Sequence, residues 1–231
     1  MSGPALIVFA KVPRPGRVKT RLSPPLAPAD AARLYDAFLR DALDLYAAAA
    51  AGPGFADPFG LGAPLAVRLY LDDPAAAPPD LAPAAVSVHA QRGDGLGAKL
   101  GRAFAETFAA GHTSAVVIGT DHPTLPPAFV GEAVRASAAP LALAIGPSDD
   151  GGYYLLGTGE LAPGLFDMPY SHGGVFEDTV EAALDAGLDP TILPSHYDVD
   201  DADSLRRLAA EWRAGADLGA RTAAELARLG V

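Results

Sequence analysis

Three short apolar runs, at residues 5–10, 114–118 and 141–145, constrain the fold of this chain more than any other feature. The run at 114–118 shows no alternation of polar and apolar residues, so it predicts a strand that is buried on both faces. Segments with helical periodicity lie between such runs, and most connections are short. This alternation predicts an α/β fold of three layers, in which helices cover both faces of a mostly parallel sheet.

Weaker patterns predict the remaining elements. We expect further strands at 65–71, 86–89, 153–156 and 191–193. The segment at 153–156 follows two glycines and is the candidate for an antiparallel strand. We expect helices at 29–51, 96–110, 126–137 and 174–185, and further helices that begin near Asp201 and Asp217. Gly52 would end the first helix. No linker divides the 231 residues, which predicts a single domain over 1–231.

Composition excludes several classes of function. The chain contains no cysteine, which rules out disulfides, thiolate metal sites and a cysteine nucleophile. Its 28 acidic and 17 basic residues give a net charge of −11, so binding to nucleic acid is not expected. No apolar run approaches the roughly 20 residues that a membrane span requires. We therefore expect a cytoplasmic protein that binds neither nucleic acid nor membrane.

Positive charge is concentrated immediately after the first predicted strand. Five of the 17 basic residues lie between positions 11 and 21, where an even distribution would place roughly one. Ligands of open α/β sheets bind beyond the carboxyl ends of the strands, so we favour a phosphate-binding loop over a solvated surface loop. The segment is not a Walker A loop, because Pro13 and Val18 stand where that motif has glycine. The candidate phosphate-binding residues are Lys11, Gly16, Arg17, Lys19 and Arg21.

Aspartates follow later strands and would reach the same edge of the sheet. Asp121 follows the strand at 114–118, where it can either coordinate a hard cation or cap the next helix. Asp198 and Asp200 are separated by one residue, so on an extended segment both carboxylates would face one metal ion. Either Asp200 or Asp201 is expected to cap the helix that follows. Asp149 and Asp150 precede two glycines, a pattern that is also typical of a turn.

Five motifs, taken in this order, resemble those of the selenodomain-associated transferase family. They are Lys11-x-Pro-x-Pro-Gly-x-Val-Lys-Thr-Arg-Leu22, Gln91-x-Gly-x-x-Leu-Gly97, Gly119-Thr-Asp-x-Pro-x-Leu125, Gly146-Pro-x-x-Asp-Gly-Gly-Tyr-Tyr-Leu-Leu-Gly157 and Leu193-Pro with Asp198-Val-Asp200. The resemblance extends from about residue 5 to 205. It implies the glycosyltransferase-A fold of nucleotide-diphospho-sugar transferases. The chain departs from the family at Tyr170-Ser171-His172, where Trp-Ser-Thr is usual, and this segment would form part of the pocket mouth.

The chain is also similar, more distantly, to 2-phospho-L-lactate guanylyltransferases. That likeness implies that Asp121, Asp198 and Asp200 hold a divalent metal ion, Mg²⁺ or Mn²⁺, and that Lys19 and Arg21 bind phosphates. We add further candidates for contact with substrate from the same motifs, which are Gln91, Gly119, Gly151 and Gly152.

These features favour one function and leave two alternatives open. The leading hypothesis is metal-dependent glycosyl transfer from a nucleotide-diphospho-sugar to a small-molecule acceptor, with Asp121, Asp150 and His172 as candidate catalytic residues. The second is nucleotidyl transfer, in which a phosphorylated small molecule attacks a nucleoside triphosphate and pyrophosphate leaves. The third is a non-catalytic nucleotide-binding module. The residues do not specify the base, the sugar, the acceptor or the oligomeric state.

Overall fold

The computed structural model describes residues 3–50 and 56–231. Within these residues, seven strands form one sheet. The strands are β1 (Ala5–Ala10), β2 (Ala66–Leu71), β3 (Val86–Ala90), β4 (Ala115–Ile118), β5 (Ala142–Pro147), β6 (Tyr153–Thr158) and β7 (Asp189–Ile192). Their order in the sheet is β3-β2-β1-β4-β6-β5-β7. Only β6 runs antiparallel to its neighbours in this sheet, so the expected α/β fold with a mostly parallel sheet is confirmed.

Six α-helices lie within the same residues. They are α1 (Pro28–Ala48), α2 (Gly95–Ala109), α3 (Pro127–Ala136), α4 (Val175–Asp185), α5 (Ala202–Arg213) and α6 (Ala220–Leu229). Side chains of α1 and α3 pack on one face of the sheet, and side chains of α2 and α4 pack on the other. This arrangement gives the three expected layers. Helices α5 and α6 pack outside α1 through a separate apolar cluster that includes Leu34, Leu205 and Leu226.

The apolar runs form strands because they supply side chains to both layers. In β1, Leu6 and Val8 belong to the cluster beneath α1 and α3, and Ile7 belongs to the cluster beneath α2 and α4. All three side chains are fully buried. Alternate residues of a strand point to opposite faces, so a strand covered on both sides must be apolar throughout.

Several predicted boundaries differ from the structure. Helix α1 ends at Ala48, and its predicted end at Gly52 lies outside the described residues. The prediction that the last helix begins near Asp217 was wrong, since α6 begins at Ala220. Its first turn is capped from another element, because the Asp41 carboxylate accepts hydrogen bonds from the backbone N–H groups of Arg221 and Thr222. The last strand, β7, begins two residues earlier than predicted.

The topology brings the carboxyl ends of β1, β2, β4 and β5 to one edge, and the antiparallel β6 begins there. The loop after β1 contains a short 3-10 helix at Thr20–Leu22. The cap predicted before α5 is confirmed as Asp201, whose carboxylate accepts hydrogen bonds from the N–H groups of Asp203 and Ser204. In the described part of the chain, no helix combines the length and apolar character of a membrane span.

Candidate functional site

A cavity of about 490 Å³ opens at this edge of the sheet, between the loop after β1 and the start of α2. Five cationic side chains and two carboxylates line it, so its walls carry a net positive charge in a chain of net charge −11. The charged residues are Lys11, Arg17, Lys19, Arg21, Lys99, Asp121 and Asp200. A positive cavity attracts a small anion even when the net charge of the protein is negative.

Lys19 occupies the centre of the charged cluster. Its Nζ atom lies 2.5 Å from Oδ1 of Asp121 and 2.7 Å from Oδ1 of Asp200. The Lys19 side chain is only 3% exposed, so the ammonium group is almost completely removed from water. Two carboxylates from distant parts of the chain therefore converge on one cation.

Burial alone would lower the pKa of Lys19, but attraction to Asp121 and Asp200 outweighs it and raises that pKa above its ordinary value. The Lys19 backbone adopts a left-handed conformation, with φ of 47° and ψ of 42°. A residue with a side chain pays about 1 kcal/mol or more in this region, and such conformations cluster at functional sites. The ion pairs hold Lys19 in place against this cost.

Arg21 extends the network to the surface. Its Nη2 donates to Oδ2 of Asp200 at 2.7 Å, so each carboxylate oxygen of Asp200 has its own cationic partner. Burial would raise the pKa of Asp200, but the charges and hydrogen bonds of Lys19 and Arg21 lower it to about 2. The two cations thus favour the carboxylate form of Asp200.

Groups outside the predicted site fix the shape of the basic loop. The Tyr35 hydroxyl accepts a hydrogen bond from the backbone N–H of Lys11 at 3.0 Å, and Asp72 Oδ1 accepts one from the N–H of Val12 at 2.7 Å. Arg14 donates to Asp73 at 2.9 Å, so this loop arginine does not face the cavity as a free cation. Tyr35, Asp72 and Asp73 were not predicted from the sequence. A signal for the two aspartates was present, because they follow directly after β2.

Gln91 joins two strand ends beneath the cavity. Its side-chain N–H₂ group donates to the backbone oxygens of Ala10 at 2.8 Å and Tyr70 at 3.1 Å. The donors of the amide are therefore engaged by protein, and the carbonyl oxygen is the group that Gln91 can offer to a ligand. Gly16 has φ of 72° in the turn that carries Arg17 to the cavity wall, although Gly16 itself does not line the cavity.

Asp198 and Asp150 do not line this cavity. Asp198 accepts a hydrogen bond from the Ser148 hydroxyl at 2.8 Å, and burial, with the nearby charges of Asp150 and Asp200, raises its pKa. Asp150 accepts one from the N–H of Gly152 at 3.0 Å, which is the turn geometry that the Asp-Gly-Gly sequence also indicated. Asp149 forms an ion pair with Arg207 at 3.2 Å.

The predicted glycines and His172 lie beside the cavity or away from it. A side chain at Gly151 would place its Cβ 2.1 Å from the backbone oxygen of Gly173, so Gly151 allows the turn to pack against the segment at 170–174. In that segment, Nδ1 of His172 accepts a hydrogen bond from the N–H of Gly174 at 3.2 Å. The other ring nitrogen, Nε2, lies 3.5 Å from Oδ2 of Asp178. Gly119 lines a second cavity.

A divalent cation fits part of the predicted ligand set. The oxygens of Asp121 and Asp200 converge on the Lys19 ammonium, so they define a point that suits a cation, and carboxylate oxygens are the donors that Mg²⁺ and Mn²⁺ prefer. Asp198 is turned to Ser148 instead, and within residues 3–50 and 56–231 no three acidic or histidine side chains are grouped as metal ligands. Mg²⁺ commonly uses one or two carboxylates together with substrate phosphates, which matches this pair.

The chain matches one family model and several solved structures. Residues 62–172 match the DUF2064 family. That family is described as an uncharacterized protein conserved in bacteria. No curated protein matches the sequence. The resemblance to selenodomain-associated transferases and to guanylyltransferases stays a prediction.

Solved structures share the fold over nearly the whole chain. A predicted nucleotide-diphospho-sugar transferase from Desulfovibrio desulfuricans G20 is 29% identical, with a TM-score of 0.82, over 100% of this chain and 96% of that one. CMP:2-keto-3-deoxy-manno-octonic acid synthetase in complex with CTP is 10% identical, with a TM-score of 0.51, over 92% and 99% of the two chains. Rv0371c from Mycobacterium tuberculosis H37Rv is 18% identical, with a TM-score of 0.50, over 89% and 96%. The last two likenesses show the fold alone.

Proposed function

We propose that this protein transfers a glycosyl group from a nucleotide-diphospho-sugar to a small-molecule acceptor. The observation that carries the proposal is the cavity at the carboxyl edge of the sheet, in which four cationic side chains line the walls together with the Lys19, Asp121 and Asp200 cluster. A diphosphate matches the charge of these walls, and the chain is similar to a predicted nucleotide-diphospho-sugar transferase over its whole length. Ligands of open α/β sheets bind at this edge.

The residues of the cavity have distinct roles in the proposed reaction. Lys11, Arg17 and Arg21 bind the diphosphate oxygens and stabilise the negative charge that develops on the departing nucleotide. Lys19 moves from its two carboxylates to a phosphate oxygen, which frees Asp121 and Asp200 to hold a divalent cation. When bound, that cation neutralises charge on the diphosphate.

The acceptor hydroxyl must lose a proton as it attacks the sugar. Asp150 and His172 remain our candidate bases. Neither lines the cavity, but they lie in segments that touch, because Gly151 packs against Gly173. A base in a ligand-free enzyme is often farther from its target than in the complex with substrate.

Nucleotidyl transfer is the alternative that the charge of the cavity favours. Five cations suit a triphosphate at least as well as a diphosphate, and in that reaction the pyrophosphate would leave into the basic loop. A non-catalytic module would retain binding without turnover of either kind of substrate.

Product analysis separates these functions. We expect Mn²⁺-dependent release of a nucleoside diphosphate from one nucleotide-sugar in the presence of an acceptor mixture, detected by mass spectrometry. Asp200→Asn should reduce this release at least 10-fold. The substitution removes the negative charge that would bind the cation and that holds Lys19 and Arg21 in place. The matched control, Asp203→Asn, removes the same charge from an exposed position on α5 and should have no effect. Release of pyrophosphate from a triphosphate would instead support nucleotidyl transfer, and binding with neither product would support the module.

A further inference from the structure

A second cavity, of about 450 Å³, shares no lining residue with the first. It lies between α1, the segment from β4 to α3 and the segment that leads into α6. Its volume is in the range of small-molecule sites. Gly119 and His122 line it, whereas Asp121, between them in sequence, lines the first cavity.

The walls of the second cavity are apolar on one side. Leu45, Leu125 and Val130 are among the residues that supply this surface. A compact apolar body would bury these side chains further, and each square ångström of apolar surface removed from water is favourable. The apolar part alone does not identify a ligand.

Thr222 supplies a polar group that lacks a partner. Its side chain lines the cavity and is fully buried, and its hydroxyl makes no hydrogen bond within the described part of the chain. A buried hydroxyl without a partner destabilises a protein, so such groups are rare. A ligand that exchanges a hydrogen bond with Thr222 would remove this cost, and this requires a small local movement that uncovers the hydroxyl.

The charges of the second cavity oppose those of the first. Two of its lining residues, Asp41 and Asp217, are acidic. None of its described lining residues is a lysine or an arginine. Asp41 is already engaged, because it caps α6 and pairs with Arg221 at 3.2 Å. Asp217 is exposed and has no ion pair with any described residue. Because Asp41 is paired, Asp217 is the charged group among the described lining residues that attracts a cation.

We propose that the second cavity binds a small organic amine with a compact apolar body. The ammonium group pairs with Asp217, the apolar body packs against the leucine and valine side chains, and a hydrogen bond from the ligand satisfies Thr222. Because Gly119 and His122 form part of the wall, the bound amine contacts the segment that also carries Asp121.

Three probes of nearly equal shape test the proposal, and neither nucleotide nor metal is added, so the result does not depend on the proposed transferase activity. The probes are cyclohexylmethylamine, cyclohexylmethanol and cyclohexanecarboxylate, titrated by protein-observed NMR. We expect saturable shifts at residues of the second cavity, with the amine tightest and the carboxylate weakest. Equal affinity for the amine and the carboxylate, or no saturation by any probe at 10 mM, would overturn the proposal.

Two variants and one control connect the binding to named groups. Asp217→Asn should weaken the amine roughly two- to fivefold and leave the alcohol unchanged. Thr222→Val should weaken both probes roughly 2- to 10-fold and raise the Tm of the free protein by roughly 2–4 °C, since it removes the unpaired hydroxyl. Asp203→Asn, which removes a charge from a residue that does not line the cavity, should change neither affinity. A Thr222→Val protein that is less stable and binds normally would refute the role of this hydroxyl.

Discussion

Replacing Lys19 by methionine tests whether the buried cluster is organised by its ammonium group. Methionine retains the length and apolar stem of the side chain but leaves Asp121 and Asp200 without the cation between them. The pKa of Asp200 is about 2, against an ordinary value of 3.8, and each pKa unit corresponds to about 1.4 kcal/mol. Lys19 and Arg21 together therefore stabilise the folded state by about 2 kcal/mol through Asp200. Lys19→Met removes only the Lys19 part of this, and it also removes the attraction between Lys19 and Asp121. We expect Lys19→Met to lower the free energy of unfolding by about 2 kcal/mol at pH 7.

This loss has a defined pH dependence. A carboxyl group with a lowered pKa in the folded state contributes stability above its unfolded pKa and loses it as pH falls through the folded pKa. The contribution is complete above about pH 5 and declines between about pH 4 and pH 2. The difference between the wild-type protein and Lys19→Met should therefore be constant from pH 7 to about 5 and become smaller towards pH 3.

Urea unfolding in the presence of EDTA, followed by circular dichroism, measures this difference. At pH 7 we expect a Tm difference of about 4–8 °C in parallel thermal scans. Lys99→Met is the matched control, because Lys99 lines the same cavity and has no ion pair in the described part of the chain, and its effect should stay within about 0.5 kcal/mol. Equal stability of Lys19→Met and Lys99→Met, or a difference that grows towards acid pH, would refute this account of the cluster.

His196, Gly151 and Lys19 each give one further prediction. Burial, with the charges of His122 and Arg207, lowers the pKa of His196 to about 4, so the unfolded state binds a proton at a higher pH than the folded state. The free energy of unfolding should therefore fall as pH decreases from about 6.5 to 4. His196→Gln should flatten that part of a Tm–pH curve. The added Cβ of Gly151→Ala would lie 2.1 Å from a backbone oxygen, so this variant should lower the free energy of unfolding in urea by roughly 2 kcal/mol or more. Gly164→Ala has a similar φ but open space around it and should lower that free energy by about 1 kcal/mol. Equal losses in the two variants would contradict the close contact at Gly151. Lys19→Met should bind Mn²⁺ more tightly than the wild-type protein without nucleotide, because the ammonium no longer occupies the cation position, and an unchanged affinity by calorimetry would argue against that position.

The sheet could be predicted because its strands are apolar throughout. Runs such as those at 5–10 and 114–118 have no polar face, so burial on both sides is the only arrangement that suits them. The start of α6 could not be predicted in the same way. Its cap comes from Asp41 on α1, and a contact between side chains so far apart in sequence leaves no local pattern at Ala220.

The candidate site was predictable as a set of strand ends but not as a set of contacts. The position of Asp121 and Asp200 after or near strands indicated the edge at which they lie. Their convergence on Lys19 depends on its left-handed backbone, which no sequence pattern predicts. It also depends on packing between Lys19 and Asp200, which are 181 residues apart in sequence. Asp198, two residues before Asp200, was predicted as a metal ligand from the same spacing, which carries no sign of the hydrogen bond that it accepts from Ser148.

Calorimetric titration of nucleotide-diphospho-sugars in the presence and absence of Mn²⁺ tests the central claim most directly. The panel contains uridine, guanosine, adenosine and cytidine derivatives of glucose, together with the four triphosphates. We predict that one nucleotide-sugar binds in the micromolar range only with Mn²⁺, and that Lys19→Met weakens it at least 10-fold. Tight binding of a triphosphate with no nucleotide-sugar binding, or binding that is indifferent to both Mn²⁺ and Lys19, would contradict the account.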